Sequence, residues 1–295
     1  MYDASAQEGR ALTVPGIRPV PGGTLVDRAL RFLGAGPSDS ATLAREVLGL
    51  TRFTRGIAER VTVALLGADP RVQRLADDRW VLVSDTYASP RIGECTFAVV
   101  DVETTGSRPA GGDRIIEIAV VTLCDGRIQR AFETLLDPRR AVSRHVTSLT
   151  RITPDMLRGR PTFEDVAAEI VAALAGRVFV AHNLRFDWRF VTSEIRRTRD
   201  LLLEGPTLCT VDLARRLLPG LRSRGLDSLA NYFGIEIQAR HRAGGDAFAT
   251  AQVLRRLLDL AVEQGAGRLI DLHRLGRRAR RRRRRNPLPG PMEQF

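Results

Sequence analysis

The segment Phe97-Ala98-Val99-Val100-Asp101-Val102-Glu103-Thr104-Thr105-Gly106 begins as a continuous apolar run and then carries two acids, two residues apart. A continuous apolar run is typical of a strand buried on both faces of a sheet. On a strand, Asp101 and Glu103 point to the same face. Two buried like charges are costly unless a cation lies between them. We therefore interpret both acids as ligands of a divalent metal ion; the alternative is a strand end whose acids are simply hydrated.

Length and charge limit the classes of protein to consider. A chain of 295 residues predicts two domains with terminal tails, and a hydrophobic content of 43% is enough for a sizeable core. The net charge of +12 favours a polyanionic partner. Nine arginines between Arg274 and Arg285 supply most of that charge, so the body of the chain is only mildly basic.

The cysteines and the apolar runs predict the compartment. Cys95, Cys124 and Cys209 are far apart and form no CxxC pair, which favours reduced thiols. The N-terminus lacks the apolar segment of a signal peptide, and no apolar run approaches the length of a membrane span. We expect a soluble, cytoplasmic protein with no membrane partner, and association with the nucleoid is an alternative location.

The N-terminal third predicts a tail and a small domain. Residues 1–22, rich in Gly, Pro and polar residues, are predicted to be disordered. Over residues 23–84, cap residues and periodicity predict three helices and then a hairpin. Thr24 and Ser40 are the predicted caps of the first two helices. This order resembles a winged-helix-like α+β domain.

Three arginines of that small domain are candidate contacts to nucleic acid. Arg52, Arg55 and Arg60 lie before or within its third predicted helix, the element with which a winged helix often binds nucleic acid. The alternative is that they solvate an ordinary helix face and that the domain docks onto protein.

A second domain is predicted over residues 94–265, after a linker over residues 85–93. The Asp125-Gly126 pair joins two strand-like runs as a hairpin, so three antiparallel strands are expected. Thr162 and Asp165 form a capping box for a helix that leads into the strand Val178–Ala181. The helical crossover places this strand in the same sheet.

Further acids follow at the ends of these elements. Asp187 is expected in the first turn of the helix after the strand Val178–Ala181, and Asp246 just inside the last helix of the domain. His241 stands five residues before Asp246. Four acids and one histidine therefore fall at strand ends or helix starts of a single domain.

These motifs, in this order, resemble the DEDDh (DnaQ-like) family of 3′-5′ exonucleases. The likeness covers residues 97–261 and includes Asp101-Val-Glu103-Thr-Thr-Gly106, Ala181-His182-Asn183 through Asp187, and His241 through Asp246. The sister DEDDy group has a tyrosine four residues before the last acid, where this chain has Arg242. The resemblance implies an α/β fold, a ribonuclease H-like mixed sheet flanked by helices.

The resemblance also implies roles for the acids and for the histidine. Asp101, Glu103, Asp187 and Asp246 would bind two divalent cations, Mg²⁺ or Mn²⁺, that polarise a phosphodiester and activate water. Asp101 would bridge the ions, Glu103 and Asp246 would complete the nucleophile side, and Asp187 would serve the leaving-group side. His241 would be the general base, since imidazole exchanges protons near neutral pH.

Other residues of the motifs are expected to hold substrate or to support the site. Thr104, Thr105, Gly106, His182 and Asn183 are the predicted substrate contacts, with the glycine allowing close approach. Phe186 is as well suited to the helix core as to stacking on a base, whereas Trp188 is expected to pack in the core. Glu117 is left without a role. We expect Gly244 and Gly245 to loosen the loop that carries His241.

Residues 266–295 are predicted to be a disordered, arginine-rich tail, because they have little to bury. Its unbroken run of arginines is expected to bind nucleic-acid phosphates without regard to sequence. The alternative is that the tail is a solvated extension without function. That run consists of Arg280, Arg281, Arg282, Arg283, Arg284 and Arg285.

The sequence therefore predicts a metal-dependent enzyme, a 3′-5′ exonuclease acting on the 3′ ends of single-stranded or frayed DNA in proofreading or repair. One alternative is a 3′-5′ exoribonuclease like ribonuclease T or oligoribonuclease, and another is a nucleic-acid-binding protein without catalysis. A DNA polymerase or a repair protein would be a partner in trans.

Overall fold

The computed structural model describes residues 16–21, 25–33, 37–69, 71–75, 77–82 and 89–276. The chain divides into two compact units, a larger one made of Met1–Val20 and Ser89–Phe295 and a smaller one made of Pro21–Ala88. The smaller unit is thus inserted in the sequence of the larger one. Four predicted features lie outside the described residues: the disorder of residues 1–15, the cap Thr24, residues 85–88 of the linker and the arginine run Arg280–Arg285.

The helices and strands follow one another in an order close to that predicted. In chain order they are β1 (Arg18–Pro21), α1 (Leu25–Leu33), β2 (Ser38–Asp39), α2 (Ser40–Glu46), α3 (Arg55–Leu66), β3 (Val72–Arg74), β4 (Arg79–Leu82), β5 (Phe97–Thr104), β6 (Ile115–Cys124), β7 (Arg127–Leu135), α4 (Arg144–Thr150), α5 (Pro154–Leu157), α6 (Phe163–Leu174), β8 (Val178–Ala181), α7 (Arg185–Arg199), β9 (Leu201–Glu204), β10 (Thr207–Cys209), α8 (Thr210–Leu217), α9 (Leu226–Phe233) and α10 (Ala243–Glu263). A last helix, α11, covers residues 269–276.

The smaller unit has its own core, in which α1, α2 and α3 pack with a three-stranded antiparallel sheet of order β2-β4-β3. Asp39, not the predicted Ser40, caps α2, and its carboxylate accepts a hydrogen bond from the Thr42 amide at 2.8 Å. The Ser40 hydroxyl instead accepts the indole N–H of the buried Trp80 at 3.0 Å. The order of elements fits the winged-helix interpretation, which stays a prediction.

The larger unit is built on a five-stranded mixed sheet of order β10-β8-β5-β6-β7. β5 pairs with β8 in parallel and with β6 antiparallel, β7 is antiparallel to β6, and β10 is parallel to β8. Only β6 therefore runs against the other four strands. Apolar cores cover both faces, one formed with α6 and α7 and the other with α8 to α11. This confirms the predicted class, a ribonuclease H-like mixed sheet flanked by helices.

Two segments predicted to be disordered belong in part to the core. Ile17 is 1% exposed and packs among the residues beneath α6 and α7, and β1 pairs with β9. Leu269 and Leu272 of α11 are buried on the opposite face of the sheet. The predicted boundaries at residues 22 and 266 are therefore wrong at these places, because a few apolar side chains in polar surroundings suffice to dock a short element.

The described residues also bear on membrane insertion and on the thiols. None of the described helices combines the length and apolar character that crossing a bilayer requires. Cys95, Cys124 and Cys209 form no disulfide, and Cys95 is buried.

Candidate active site

A cleft opens where β5 runs past the end of its pairing with β8. The parallel ladder stops at the pair Val99–Val180, whereas β5 continues to Thr104. Asp101 and Glu103 lie in this continuation and are partly exposed, while Val100 and Val102, on either side of Asp101, are buried on the other face. On its other side β5 remains paired with β6. The sheet thus holds both acids rigidly while leaving them open to a ligand.

The remaining predicted acids reach the same cleft from two helices. Asp187, in the first turn of α7, accepts a hydrogen bond from the Val102 amide at 3.3 Å. Asp246 lies in the first turn of α10, and carboxylate oxygens of Asp101, Glu103 and Asp246 all lie within 4.8 Å of one another. The cleft has a volume of about 350 Å³ and is lined by all four acids and by His241. The structure therefore brings together the five residues predicted to be catalytic.

The crowding of these acids makes their ionised forms unfavourable. Burial, followed by the charges of the neighbouring acids, raises the pKa of Asp101 well above its ordinary value. Burial, with Asp246 next in importance, raises the pKa of Glu103 to about 8. Burial also raises the pKa of Asp187 and of Asp246. A further positive charge in the cleft, beyond that of the lining Arg240, would therefore favour the ionised acids at neutral pH.

Asp246 shows what kind of group would supply that charge. Its Oδ2 atom accepts hydrogen bonds from the Arg240 guanidinium and from the His241 amide, but its buried Oδ1 atom has no hydrogen-bond partner within the described residues. A buried carboxylate oxygen without a partner is costly. Clustered carboxylate oxygens are the donors that hard divalent cations prefer. The residues present therefore fit a divalent metal ion.

His241 lies on a tightly constrained loop before α10. Its backbone is left-handed, with φ of +62°, and its amide is bonded to Asp246 at 3.2 Å. The glycines that follow do not loosen this loop, contrary to prediction. A Cβ atom on Gly245 would lie 1.8 Å from the carbonyl oxygen of Gln238, and one on Gly244 would lie 2.2 Å from the Glu133 carboxylate. Both glycines instead allow the start of α10 to pack closely against its surroundings.

Arg240, which the sequence did not single out, is the cation at the edge of the cleft. Its guanidinium binds Asp246, contacts the Asp227 carboxylate at 2.8 Å and lies 3.3 Å from Nδ1 of His241. Because an arginine offers only protons, Nδ1 of His241 in this arrangement carries the lone pair and Nε2 the proton of the neutral ring. Arg240 thus connects Asp246, His241 and the start of α9.

Glu117, which the sequence left without a role, anchors the segment that follows His241. Its carboxylate is 2% exposed, receives the Arg242 guanidinium at 2.6 Å and accepts the Ala243 amide at 2.9 Å. A single acid within the otherwise apolar run of β6 needs a cationic partner when it is buried. This was the sequence signal that could have identified Glu117 as part of an ion pair. Which arginine would be that partner could not be read from the sequence.

The predicted substrate contacts separate into two groups. His182 and Asn183 line the cleft. Nδ1 of His182 lies 2.8 Å from the Thr210 hydroxyl, and burial, followed by the charge of Arg240, lowers its pKa to about 4. His182 is consequently neutral at physiological pH.

Thr104, Thr105 and Gly106 are absent from the described lining of that cleft. The Thr104 hydroxyl donates to the Gly106 carbonyl at 2.6 Å, and the Thr105 hydroxyl accepts the Arg114 amide at 3.0 Å. A Cβ atom on Gly106 would lie 2.4 Å from the Asp113 carboxylate. These hydroxyls therefore shape the turn after β5, and a contact with substrate stays a prediction for all three residues.

The two aromatic residues of α7 behave differently. Trp188 packs edge-on against Phe179 with ring centroids 4.9 Å apart, as expected for a core residue. Phe186 both contacts Phe190, at 5.0 Å between centroids, and lines the cleft. Its ring is thus available to a ligand while remaining supported by the helix.

A sheet in which one strand opposes four, with a cluster of acids beside its central strand, is the arrangement expected of a ribonuclease H-like protein. The chain belongs to the exonuclease family, since the family model described as Exonuclease (RNase_T) matches residues 98–254, more than half of its length. The predicted family resemblance is confirmed.

Two relatives of similar sequence agree with this assignment. The chain is 34% identical over 181 residues to the DNA polymerase III subunit epsilon of Aquifex aeolicus. The aligned region covers 61% of this chain and 89% of that subunit. It is 36% identical over 207 residues to the PolC-type DNA polymerase III of Thermotoga maritima, covering 70% of this chain but only 14% of that much longer protein. Among solved structures, exonuclease X in complex with 5′ overhanging duplex DNA is 27% identical, with a TM-score of 0.49 over 61% of this chain and 99% of that one.

Proposed function

We propose that this protein is a metal-dependent 3′-5′ exonuclease that hydrolyses phosphodiester bonds at the 3′ ends of single-stranded or frayed DNA. The observation that carries the proposal is the convergence of Asp101, Glu103, Asp187 and Asp246 in one cleft, with a buried oxygen of Asp246 lacking a partner among the described residues. Membership of the exonuclease family supports the same activity. Proofreading or repair is the process such an activity would serve.

The four acids would hold two divalent cations, Mg²⁺ or Mn²⁺. Bound there, the cations would polarise the phosphate, lower the pKa of a water molecule and stabilise the leaving oxygen. Asp101, near the centre of the group, is the proposed shared ligand, with Glu103 and Asp246 on one side and Asp187 on the other. The hydrogen bond from Val102 orients the Asp187 carboxylate for this role.

His241 is the proposed general base for the attacking water. In the observed arrangement Nδ1 carries the lone pair, so this atom would take the proton, and the Arg240 guanidinium has to release it first. The bond from the His241 amide to Asp246 ties the position of the base to that of a metal ligand. His182, neutral and held by Thr210, would contact the terminal nucleotide together with Asn183.

The experiment that tests the proposal compares four oligomers, DNA and RNA, each with a free or a blocked 3′ end. Shortening from the free 3′ end of DNA, lost on addition of a chelator and in Asp101→Ala, is the expected result. Preferential shortening of RNA would favour the exoribonuclease alternative. Binding without shortening in the presence of Mg²⁺ or Mn²⁺ would leave a non-catalytic nucleic-acid-binding protein and would refute the proposal.

A DNA polymerase acting in trans is the proposed partner. Subunit epsilon and the PolC-type relatives carry polymerase names, and residues 98–254 of this chain account for the exonuclease match. Co-purification of the chain with a replicative polymerase, and an increase of exonuclease rate in the complex, would support this partner. A repair protein in its place would leave the polymerase unbound.

The smaller unit is proposed to be a winged-helix-like domain, within the predicted limits of residues 23–84. Arg52 and Arg60 are exposed and remain candidate phosphate contacts. Arg55 is less suited, because its guanidinium already binds Glu59 at 3.0 Å and Asp78 at 3.4 Å. Loss of DNA affinity in Arg52→Gln/Arg60→Gln would support this contact, whereas unchanged affinity would favour docking onto protein.

A further inference from the structure

The helix α7 has an outward face that carries arginines and no acid. At 100° per residue, Arg185, Arg189, Arg196 and Arg199 lie within about 50° of one line along the helix. All four are exposed, whereas the two acids of the helix, Asp187 and Glu194, are buried. Between them on the same face lies Thr192, whose hydroxyl donates to the Trp188 carbonyl at 2.6 Å.

The charges of this face are not consumed by ion pairs among the described residues. Arg185, Arg189 and Arg196 have no carboxylate partner there, and Arg199 donates only to the backbone carbonyl of Glu164, at 3.2 Å. By contrast, Arg197 lies off this line and pairs with the buried Glu194. The exposed arginines are therefore free to bind a polyanion.

Neither composition nor helix electrostatics explains the face as a whole. The chain is rich in arginine, yet α10 mixes exposed Arg256 with exposed Asp259, and α6 exposes Glu164 and Glu169. Arginines near the C-terminus of a helix are stabilised by its dipole, which accounts for Arg196 and Arg199. In the first turn the dipole disfavours positive charge, so Arg185 needs another explanation, and the dipole does not account for Arg189, which lies beyond that turn.

The N-terminal end of α7 provides that explanation, because the cleft lies at this end and the arginine face begins there and runs away from it along the helix, on the side opposite Asp187. Arg185 is flanked in sequence by Leu184 and by Phe186, and Phe186 and Asp187 line the cleft. From Arg185 to Arg199 the helix extends about 21 Å, at about 1.5 Å per residue. That length matches several phosphates of a strand, and arginines on such a line are suited to phosphate contacts that carry no sequence information.

We propose that the outward face of α7 is a phosphate-binding track for the single strand whose 3′ end lies in the cleft. The track, formed by Arg185, Arg189, Arg196 and Arg199, contacts nucleotides on the 5′ side of the bond that is cut. This inference rests on the proposed function, because it takes the cleft as the site of the 3′ end. If the track binds phosphates, the affinity of the protein for a single strand depends on the length of the strand and on the salt concentration.

The experiment measures binding of a labelled oligothymidylate of more than about 16 nucleotides to the full chain, in a chelator that prevents cutting. The variant is Arg185→Gln/Arg189→Gln/Arg196→Gln. The matched control is Arg127→Gln/Arg158→Gln/Arg256→Gln, which removes the same charge from exposed positions outside α7. Each lost phosphate contact lowers the slope of log K against log salt by about 0.7, so the track variant is expected to lose about 2 and the control much less.

A second measurement separates this inference from the proposed function. With Mg²⁺ present, the track variant is expected to cut a dinucleotide at the wild-type rate but a long strand with a raised KM. Equal affinities and salt slopes in variant and control would overturn the track even if wild-type protein degrades DNA. If the wild-type protein cuts no strand but the track variant still loses the salt slope relative to wild type and control, the track is upheld and the exonuclease function is refuted. Unchanged thermal unfolding of the variant confirms that its fold is intact.

Discussion

The Arg242 guanidinium lies on the buried carboxylate of Glu117, with both of its contacting nitrogens within 3.1 Å. The two residues are 125 positions apart, and Glu117 pairs across the sheet with Glu103. Glu117 also accepts the Ala243 amide, the first amide of α10. The strand β6 therefore fixes where α10 begins, and with it the positions of His241 and Asp246.

Replacing Glu117 is expected to damage both stability and activity. In Glu117→Gln the Ala243 amide keeps an acceptor, but the Arg242 guanidinium, 31% exposed, loses its counter-charge. Breaking a buried ion pair costs about 3–5 kcal/mol, and partial exposure of the arginine reduces this to about 2 kcal/mol. Urea unfolding in a chelator measures the loss, with the exposed Glu169→Gln as control. A loss no larger than that of the control would contradict the anchoring role.

The stability of the metal-free protein is expected to fall as pH rises from about 4.5 to about 8. Over this range the folded state holds a proton on Glu103, whose pKa is about 8, whereas the unfolded chain releases it near the ordinary value of 4.5. The folded state then binds more protons than the unfolded state, so raising the pH favours unfolding.

Divalent cations are expected to offset this loss. The increase in Tm on adding Mg²⁺ or Mn²⁺ should therefore be greater at about pH 8 than at about pH 5. Thermal unfolding with and without a chelator at both pH values provides the measurement. An equal increase at both would indicate that the cations do not bind at these acids.

Asp101→Asn is expected to raise the stability of the metal-free protein while abolishing activity. The amide removes one member of a group of mutually repelling, buried acids. At about pH 8 we expect a higher free energy of unfolding than that of the wild-type protein, because the amide carries no charge to be desolvated or repelled. Asp155→Asn, at an exposed ion pair, serves as control. A destabilised Asp101→Asn would argue against repulsion within the group.

Arg240→Gln is expected to bind Mn²⁺ about tenfold more tightly than wild type, because it removes a positive charge that contacts a proposed ligand. Arg240→Lys keeps the charge and should stay close to wild type. Calorimetric titration measures both affinities without relying on cutting. Weaker binding by the glutamine variant would show that Arg240 holds Asp246 in place more than it repels the cation.

Ile17→Ala is expected to cost about 2–4 kcal/mol, the usual range for truncating a fully buried isoleucine. Gly16→Ala should also destabilise the fold, since the new methyl group would lie 2.0 Å from the backbone of Gly176. The exposed neighbour Arg18→Ala is the control. Unfolding of the first two variants at the same urea concentration as the control would refute the docking of β1.

Much of the fold was predictable because its elements carry strong local signals. The apolar run of β5, the Asp125-Gly126 turn between β6 and β7, and the capping box of α6 each depend on a few adjacent residues. The acids of the site were predictable for a related reason, since each lies next to such an element. Their meeting in one cleft required that β5 and β8 join one sheet and that α7 and α10 begin beside β5.

The features that escaped prediction depend on contacts between distant parts of the chain. Ile17 stands among glycine and proline, and nothing near it in sequence indicates that its backbone will bond to Gly176 and Arg177 or that the adjoining β1 will pair with β9. Leu269 and Leu272 belong to a short segment that leads directly into a run of arginines, which hides a short buried helix. The pairing of Arg240 with Asp246 likewise needs the loop conformation at Ala239 and His241, both left-handed.

Because Ile17 and β1 complete the larger unit before the chain enters the smaller one, the two units cannot be separated by shortening the chain from its start. A fragment beginning at residue 89 would leave an unfilled space beneath α6 and an uncovered edge on β9. To obtain the catalytic body alone, one would excise the intervening segment and rejoin its flanks. Evolutionary gain or loss of the smaller unit would have had to follow the same route, by insertion or deletion within a gene.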